Sequence, residues 1–299
     1  MIRLGTRGSA LALAQARLVA DALPEEVEVV PIATSGDRGR GGDKARFVKE
    51  IEEALLEGEV DLAVHSAKDV PSELPDGLAI VGVPERADPF DALCGTGSLS
   101  ELSHGATIGT ASLRRRAQLL ALRPDLDVRD LRGNVDTRLG RLADGYFDAI
   151  VLARAGLDRL GRGAEGVPLP ELVPAPGQGC LALEARAGDT RAAEAASALT
   201  DREALTSLTA ERALVAALDA SCRTPVAAHA ELATGLLTLA AFVGMPDGTH
   251  WIRDAYEGDA EEPAALGRAV ADRMLSAGAR DLLEAADLAV TSRPARPPQ

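Results

Sequence analysis

The sequence predicts the α/β class: two α/β domains hinged about a cleft, followed by a smaller C-terminal α+β domain. Three observations predict it. Strand-like and helix-like segments alternate through the first 150 residues. Proline- and glycine-rich breaks at 84–89 and 173–179 interrupt that alternation. After residue 200 the pattern changes to one helix, three strands and two closing helices. At 299 residues the chain is long for one core, so two or three domains are expected. Apolar residues make up 46% and aromatics only 2%, so Ala, Val, Leu and Ile must fill those cores.

In chain order, 2–6 reads as a strand, and 9–23 carries apolar residues at helical spacing. Strand 27–33, helix 45–57, strand 60–65 and strand 78–83 follow. The run Pro84-Glu85-Arg86-Ala87-Asp88-Pro89 marks a crossing between domains. A second unit comprises strand 107–109, helix 112–122, strand 128–131, helix 134–143 and strand 148–152. Val173-Pro174-Ala175-Pro176-Gly177-Gln178-Gly179 marks a second crossing, after which 180–184 reads as a strand returning to the first sheet. Helix 203–218, three short strands between 226 and 256 and two helices complete the chain. The domains are expected at 1–84 with 180–199, at 85–179, and at 200–299. Alternating βαβα units predict mostly parallel sheets, with ligands at the carboxyl ends of the strands.

Charge excludes some functions and points to others. The net charge of −14 argues against nucleic acid as a partner. Residues 107–162 reverse the sign, with 11 basic against 7 acidic side chains. A basic segment in an acidic chain marks a place for anions. No apolar run is long enough to span a membrane. The first residues lack the pattern of a secretory signal, so a cytoplasmic location is expected. Three scattered cysteines give no disulfide framework, and four histidines give no helix-face metal pair, so no metal is expected.

Two turns repeat one design, Leu4-Gly5-Thr6-Arg7-Gly8-Ser9 and Ile108-Gly109-Thr110-Ala111-Ser112-Leu113. Each ends a strand in Gly-Thr and places Ser at a helix start. Ordinary capping explains the serines. Arg114-Arg115-Arg116 at the second helix start opposes the helix dipole and costs stability unless an anion is bound. Arg132, in Leu131-Arg132-Gly133-Asn134-Val135, again puts a cation where strand meets helix, with Arg138 and Arg141 further along that helix. A solvated basic face accounts for Arg141. Several guanidiniums converging on one cleft suit a ligand with multiple carboxylates. His65-Ser66-Ala67-Lys68-Asp69-Val70-Pro71 follows a buried strand. Lys68 and Asp69 there read equally as an exposed ion pair or as a carboxylate that stabilises a developing cation. Cys222 lies in a polar turn beside Arg223, which favours thiolate character, although a lone cysteine is more often a small buried hydrophobe. Cys94 and Cys180 sit in apolar strand contexts and read as core.

Taken together, Thr6-Arg7-Gly8-Ser9, Phe47-Val48-Lys49-Glu50, residues 61–71, Gly109-Thr110-Ala111-Ser112-Leu113-Arg114-Arg115, Leu131-Arg132-Gly133-Asn134-Val135 and Pro176-Gly177-Gln178-Gly179 resemble the porphobilinogen deaminase family, in its order, from about residue 2 to about 290. The resemblance implies two domains like those of bilobal anion-binding proteins plus a third. It implies a dipyrromethane cofactor held by a thioether to Cys222 and Asp69 as the catalytic carboxylate. Ser66, Lys68, Thr110, Ser112, Arg114, Arg115 and Arg132 would hold the cofactor. Arg7, Ser9, Phe47, Arg138, Arg159 and Gln178 would meet the substrate, porphobilinogen. The activity implied is a transferase of tetrapyrrole biosynthesis that acts as a monomer, without membrane or nucleic acid. Two departures stand out. Gly41-Gly42-Asp43-Lys44-Ala45-Arg46-Phe47 replaces the family's usual Gly-Gly-Lys-Gly-Leu-Phe after a shorter loop that includes Arg40. Ser221 replaces the usual Gly before the anchoring cysteine. The rival reading, a bilobal solute-binding or ligand-sensing protein for a small carboxylate, accounts for cleft and arginines but not for a cysteine on a third domain. A phosphate-binding enzyme of another kind would need a P-loop or dinucleotide motif, and none occurs.

Overall fold

The computed structural model describes residues 1–35, 48–220 and 224–291. In chain order the first unit contains β1 (Ile2–Arg7), α1 (Ala10–Ala22), β2 (Val27–Ile32), α2 (Lys49–Leu56), β3 (Leu62–Ser66) and β4 (Leu78–Gly82). The chain crosses to β5 (Asp91–Cys94), β6 (Thr107–Gly109), α3 (Leu113–Leu122), β7 (Asp127–Arg129), α4 (Val135–Ala143), β8 (Ala149–Ala153), α5 (Arg154–Arg159) and β9 (Val167–Leu169). It then re-enters the first sheet as β10 (Leu181–Arg186), followed by α6 (Thr190–Ser197). The last part holds α7 (Arg202–Ala217), β11 (Val226–Ala233), β12 (Leu236–Gly244), β13 (Trp251–Asp259), α8 (Pro263–Ser276) and α9 (Ala279–Thr291).

The two large sheets share one plan, β2-β1-β3-β10-β4 and β7-β6-β8-β5-β9. In each, a first strand (β1 or β6) lies parallel to both its neighbours. In each, the strand that follows a crossing (β10 or β5) lies between two others and antiparallel to both. The expectation of mostly parallel sheets is therefore corrected: each sheet is mixed, because the chain enters from the other unit at the opposite end of the sheet. The strand expected at 128–131 is also displaced. It ends at Arg129, where Thr110 N–H bonds the Arg129 carbonyl, and the chain then turns through Gly133 (φ +117°) to the Asn134 cap of α4.

Packing follows the sequence pattern. Ile2, Leu4, Val19, Leu62, Val64 and Leu183 form the first core, beneath α1. Leu93, Ile108, Leu119, Val128 and Val151 build the second. Leu237, Leu239, Ala241 and Val243 of β12 pack with Leu214, Leu266, Val270 and Met274 of α7 and α8. The C-terminal half of β12 is apolar on both faces because its second face is covered there, where Phe242 meets Ala117 and Val173. The units also touch through α1 and α5.

Candidate active site

The segment after β3 is held from several sides. Residues Ala67–Asp69 form a single 3-10 turn, closed by the Val70 N–H on the Ala67 carbonyl at 3.2 Å. The Ala67 N–H donates to the Cys180 carbonyl at 3.1 Å, and Gln15 donates to the Ser66 hydroxyl at 3.1 Å. Lys68 Nζ donates to Gln178 Oε1 at 3.3 Å. The second crossing presses directly on this turn. Gly177 has φ +72°, and a Cβ there would stand 3.0 Å from the Ala67–Lys68 peptide. Gly179, at φ +91°, lies so close to the first crossing that a Cβ would collide with the Ala87 carbonyl. Only glycine meets both demands.

In the second unit, Thr110 is buried and its hydroxyl accepts from the Ser112 N–H at 3.2 Å. Ser112 caps α3 by accepting from the Arg115 N–H, as Ser9 caps α1 by accepting from the Ala12 N–H. Arg114 and Arg115 are buried. Their Nη2 atoms each lie 2.8 Å from an oxygen of Asp91, and their Nη1 atoms donate to the Val173 and Val151 carbonyls. Gln178 completes the group, donating to Asp91 Oδ1 at 2.9 Å and to the Pro89 carbonyl at 2.7 Å. Burial alone would push the Asp91 carboxyl up, but the two guanidiniums hold it well below the usual carboxylate range. A relay of hydrogen bonds thus runs from Lys68 through Gln178 to Asp91 and the arginine pair.

Arg132 is exposed beyond β7, and Arg138 is half-buried on α4 with Nε on the Gly133 carbonyl at 2.7 Å. Burial pulls the Arg138 guanidinium down to about 10; the charges of Arg115 and Arg132 push the same way, and Asp69 opposes them. Arg138, Arg115, Arg132 and Asp69 therefore share one electrostatic neighbourhood, although they come from both α/β units. Half-buried Arg159, at the end of α5, donates to the Gly179 carbonyl at 2.7 Å. Arg7 is half-buried at the end of β1. Phe47, Cys222, Arg40 and Lys44 lie outside the described residues. The other two thiols are buried in apolar surroundings that push Cys94 up to about 11 and Cys180 up to about 12.

Sequence reasoning passed over Asp91, Glu211 and Arg212. Asp91 opens the apolar strand Asp91–Cys94, and an acidic residue leading a buried run is the signal that could have found it. Glu211, fully buried on α7, accepts from Arg86 Nη1 at 2.6 Å, from the Gly177 N–H at 2.6 Å and from the Ala230 N–H at 2.8 Å. Nothing in its helical spacing distinguishes it.

Two family descriptions match successive stretches of the chain. One is porphobilinogen deaminase, dipyromethane cofactor binding domain, at residues 2–194; the other is porphobilinogen deaminase, C-terminal domain, at 205–276. The chain belongs to the porphobilinogen deaminase family. The porphobilinogen deaminase of Deinococcus radiodurans is 50% identical over 303 residues, covering 95% of this chain and 98% of that protein. That of Thermus thermophilus is 49% identical over 295 residues, with the same coverage. Among solved structures, the chain is similar to a periplasmic substrate-binding protein of an ABC transporter from Coxiella burnetii, at 16% identity and TM-score 0.42 over 69% of this chain and 94% of that one. The cofactor-domain match spans Asp69, the arginines and Gln178, while the C-terminal match spans Cys222.

Proposed function

We propose that this protein is a transferase that joins four porphobilinogen molecules head to tail, each with loss of ammonia, and releases hydroxymethylbilane by hydrolysis. The observation that carries the reading is the family match over both parts of the chain, joined to a site in which Asp69 lies within electrostatic reach of Arg138 of the second unit. A dipyrromethane suits these residues. Arg138 is half-buried beside Arg115 and Arg132, and such a crowd of like charge calls for carboxylates. Ser66, Lys68, Thr110, Ser112, Arg114, Arg115 and Arg132 would hold that group, with Asp91 fixing the aim of Arg114 and Arg115. Cys222 would carry it through a thioether; the high values of Cys94 and Cys180 make them poor nucleophiles by contrast. When bound, the dipyrromethane supplies the free pyrrole carbon to which substrate is joined.

The chain's own residues supply binding and charge. Arg7, Ser9, Phe47, Arg138, Arg159 and Gln178 would orient the incoming substrate through its acetate and propionate groups and its ring. The aminomethyl C–N bond breaks and ammonia leaves, so positive charge develops on the substrate's pyrrole nitrogen. The Asp69 carboxylate accepts the pyrrole N–H and offsets that charge. A new carbon–carbon bond then forms, and the attacked ring carbon gives up its proton. We assign 1–84 with 180–199, 85–179 and 200–299 to the three domains. The protein would work as a cytoplasmic monomer without nucleic acid or membrane. The net charge of −14 supports the first exclusion, and no described helix is long and apolar enough to cross a membrane.

Intact-protein mass tests the reading. The expected result is an adduct of two condensed pyrrole units that disappears in Cys222→Ser; an active protein of unmodified mass overturns it. Asp69→Ala should retain the adduct and lose nearly all turnover. Full turnover in that variant removes Asp69 from its role.

A further inference from the structure

We propose that Arg212, on α7, is a positioning residue that holds the Asp69 turn from behind; this rests on the reading of Asp69 as the catalytic carboxylate. The guanidinium takes three consecutive carbonyls of the segment leaving that turn. Nη2 donates to Pro71 at 2.7 Å and Ser72 at 2.9 Å, and Nη1 approaches Val70 at 3.4 Å. Those carbonyls have no regular backbone partner among the described residues. Pro71 has no N–H and keeps Val70 extended (φ −80°, ψ +127°), so the segment cannot form a helical or sheet ladder of its own.

A simple tether between domains would explain one such bond. Two features go beyond a tether. The carbonyls begin at the residue directly after Asp69, so a shift of the guanidinium moves the carboxylate's own backbone. Arg212 also forms no ion pair among the described residues, although burial lowers its pKa; Glu184 lies within electrostatic reach and opposes that shift. A half-buried cation spent on main-chain carbonyls is a costly way to join two domains, and its use of a planar fork indicates that geometry is what it supplies. The other faces of the turn are set by the Cys180 carbonyl, Gln178 and Gly177. Arg212 closes the remaining side.

The test compares Arg212→Met and Arg212→Lys in the full, cofactor-loaded chain, each alone and combined with Asp69→Glu. Arg212→Met is expected to keep the mass adduct and leave KM within about 3-fold, while kcat falls about 10–100-fold, as small misplacements of a reacting group do. Hydrogen exchange should rise in the peptide covering 67–72, and Arg212→Lys should recover part of both changes. On the Asp69→Glu background Arg212→Met should cost no more than about 2-fold, because the two residues act as one unit. Wild-type kcat and exchange in Arg212→Met overturn the proposal, as does an equal loss on both backgrounds. Should Arg212→Met not fold, Arg212→Lys decides by the same readouts. Full turnover in Asp69→Ala defeats the Asp69 reading itself; an inactive Asp69→Ala beside a fully active Arg212→Met defeats this inference alone.

Discussion

Asp91 sets the behaviour of two arginines that the sequence assigns to ligand binding. It is fully buried, and removing its charge strands the Arg114 and Arg115 guanidiniums without a carboxylate. Asp91→Asn should therefore cost about 3–5 kcal/mol, the range for breaking a buried pair from one side. The folded-state pKa lies below the ordinary value of 3.8, so the unfolded chain binds the proton more readily. The stabilisation is complete above that pH and is lost as pH falls through the lower folded value. Urea unfolding at pH 7 should show the full gap between wild type and variant, and below pH 4 the gap should narrow. A gap independent of pH would remove the ionic account. Cations at a helix start imply an anion for Arg114-Arg115-Arg116, and the anion for two of them is internal, more than 20 residues upstream. Local periodicity carries no record of such a pairing. Ser9 and Ser112, whose capping partners lie three residues away, were legible in place.

At the scale of elements, long periodic segments were the readable ones. Helices α1, α3, α4 and α7 fall within about two residues of their expected positions, because each carries an apolar stripe and a capping side chain. Of β5 only an apolar strand context at Cys94 was anticipated, and of β9, α5 and α6 nothing. They span only 4, 3, 6 and 8 residues, too few for a period to register, and β9 contains a proline. The glycine-rich crossing was readable as a break, but its contact with the Lys68–Asp69 turn was not, since that depends on how two distant segments pack. Gly177→Ala tests this contact. A left-handed φ and a Cβ against the Ala67–Lys68 peptide together should cost about 1–3 kcal/mol. Because the strain falls on the turn itself, kcat should drop while Gly188→Ala, also at positive φ but with open space around it, costs stability only. Equal kinetic effects of the two substitutions would show that the contact does not shape the site.

For the whole molecule, the question is what keeps three units acting as one. The apolar contact between the third sheet and the second unit is small, centred on Phe242, Ala227, Ala117 and Val173. Glu211 joins more: Arg86 of the first crossing, the Gly177 N–H of the second, and the Ala230 N–H of β11. Burial raises the cost of its charge more than any one neighbour lowers it, yet Arg86 and His229 together hold the carboxyl below its ordinary value. Every route by which the chain passes between the two large sheets is thus tied to the third domain through one carboxylate. Glu211→Gln keeps the size but leaves Arg86 uncompensated, and its single carbonyl oxygen cannot serve all the donors that two carboxylate oxygens serve. The expected loss is about 3–5 kcal/mol. It should fall on the coupling rather than on any one core, since the Leu214, Leu239 and Val270 cluster is untouched. Calorimetry should then show the wild type melting in one transition and the variant in two, with the third domain separating from the rest. A variant that still melts in a single transition at the wild-type temperature would mean that apolar contact alone unites the three units.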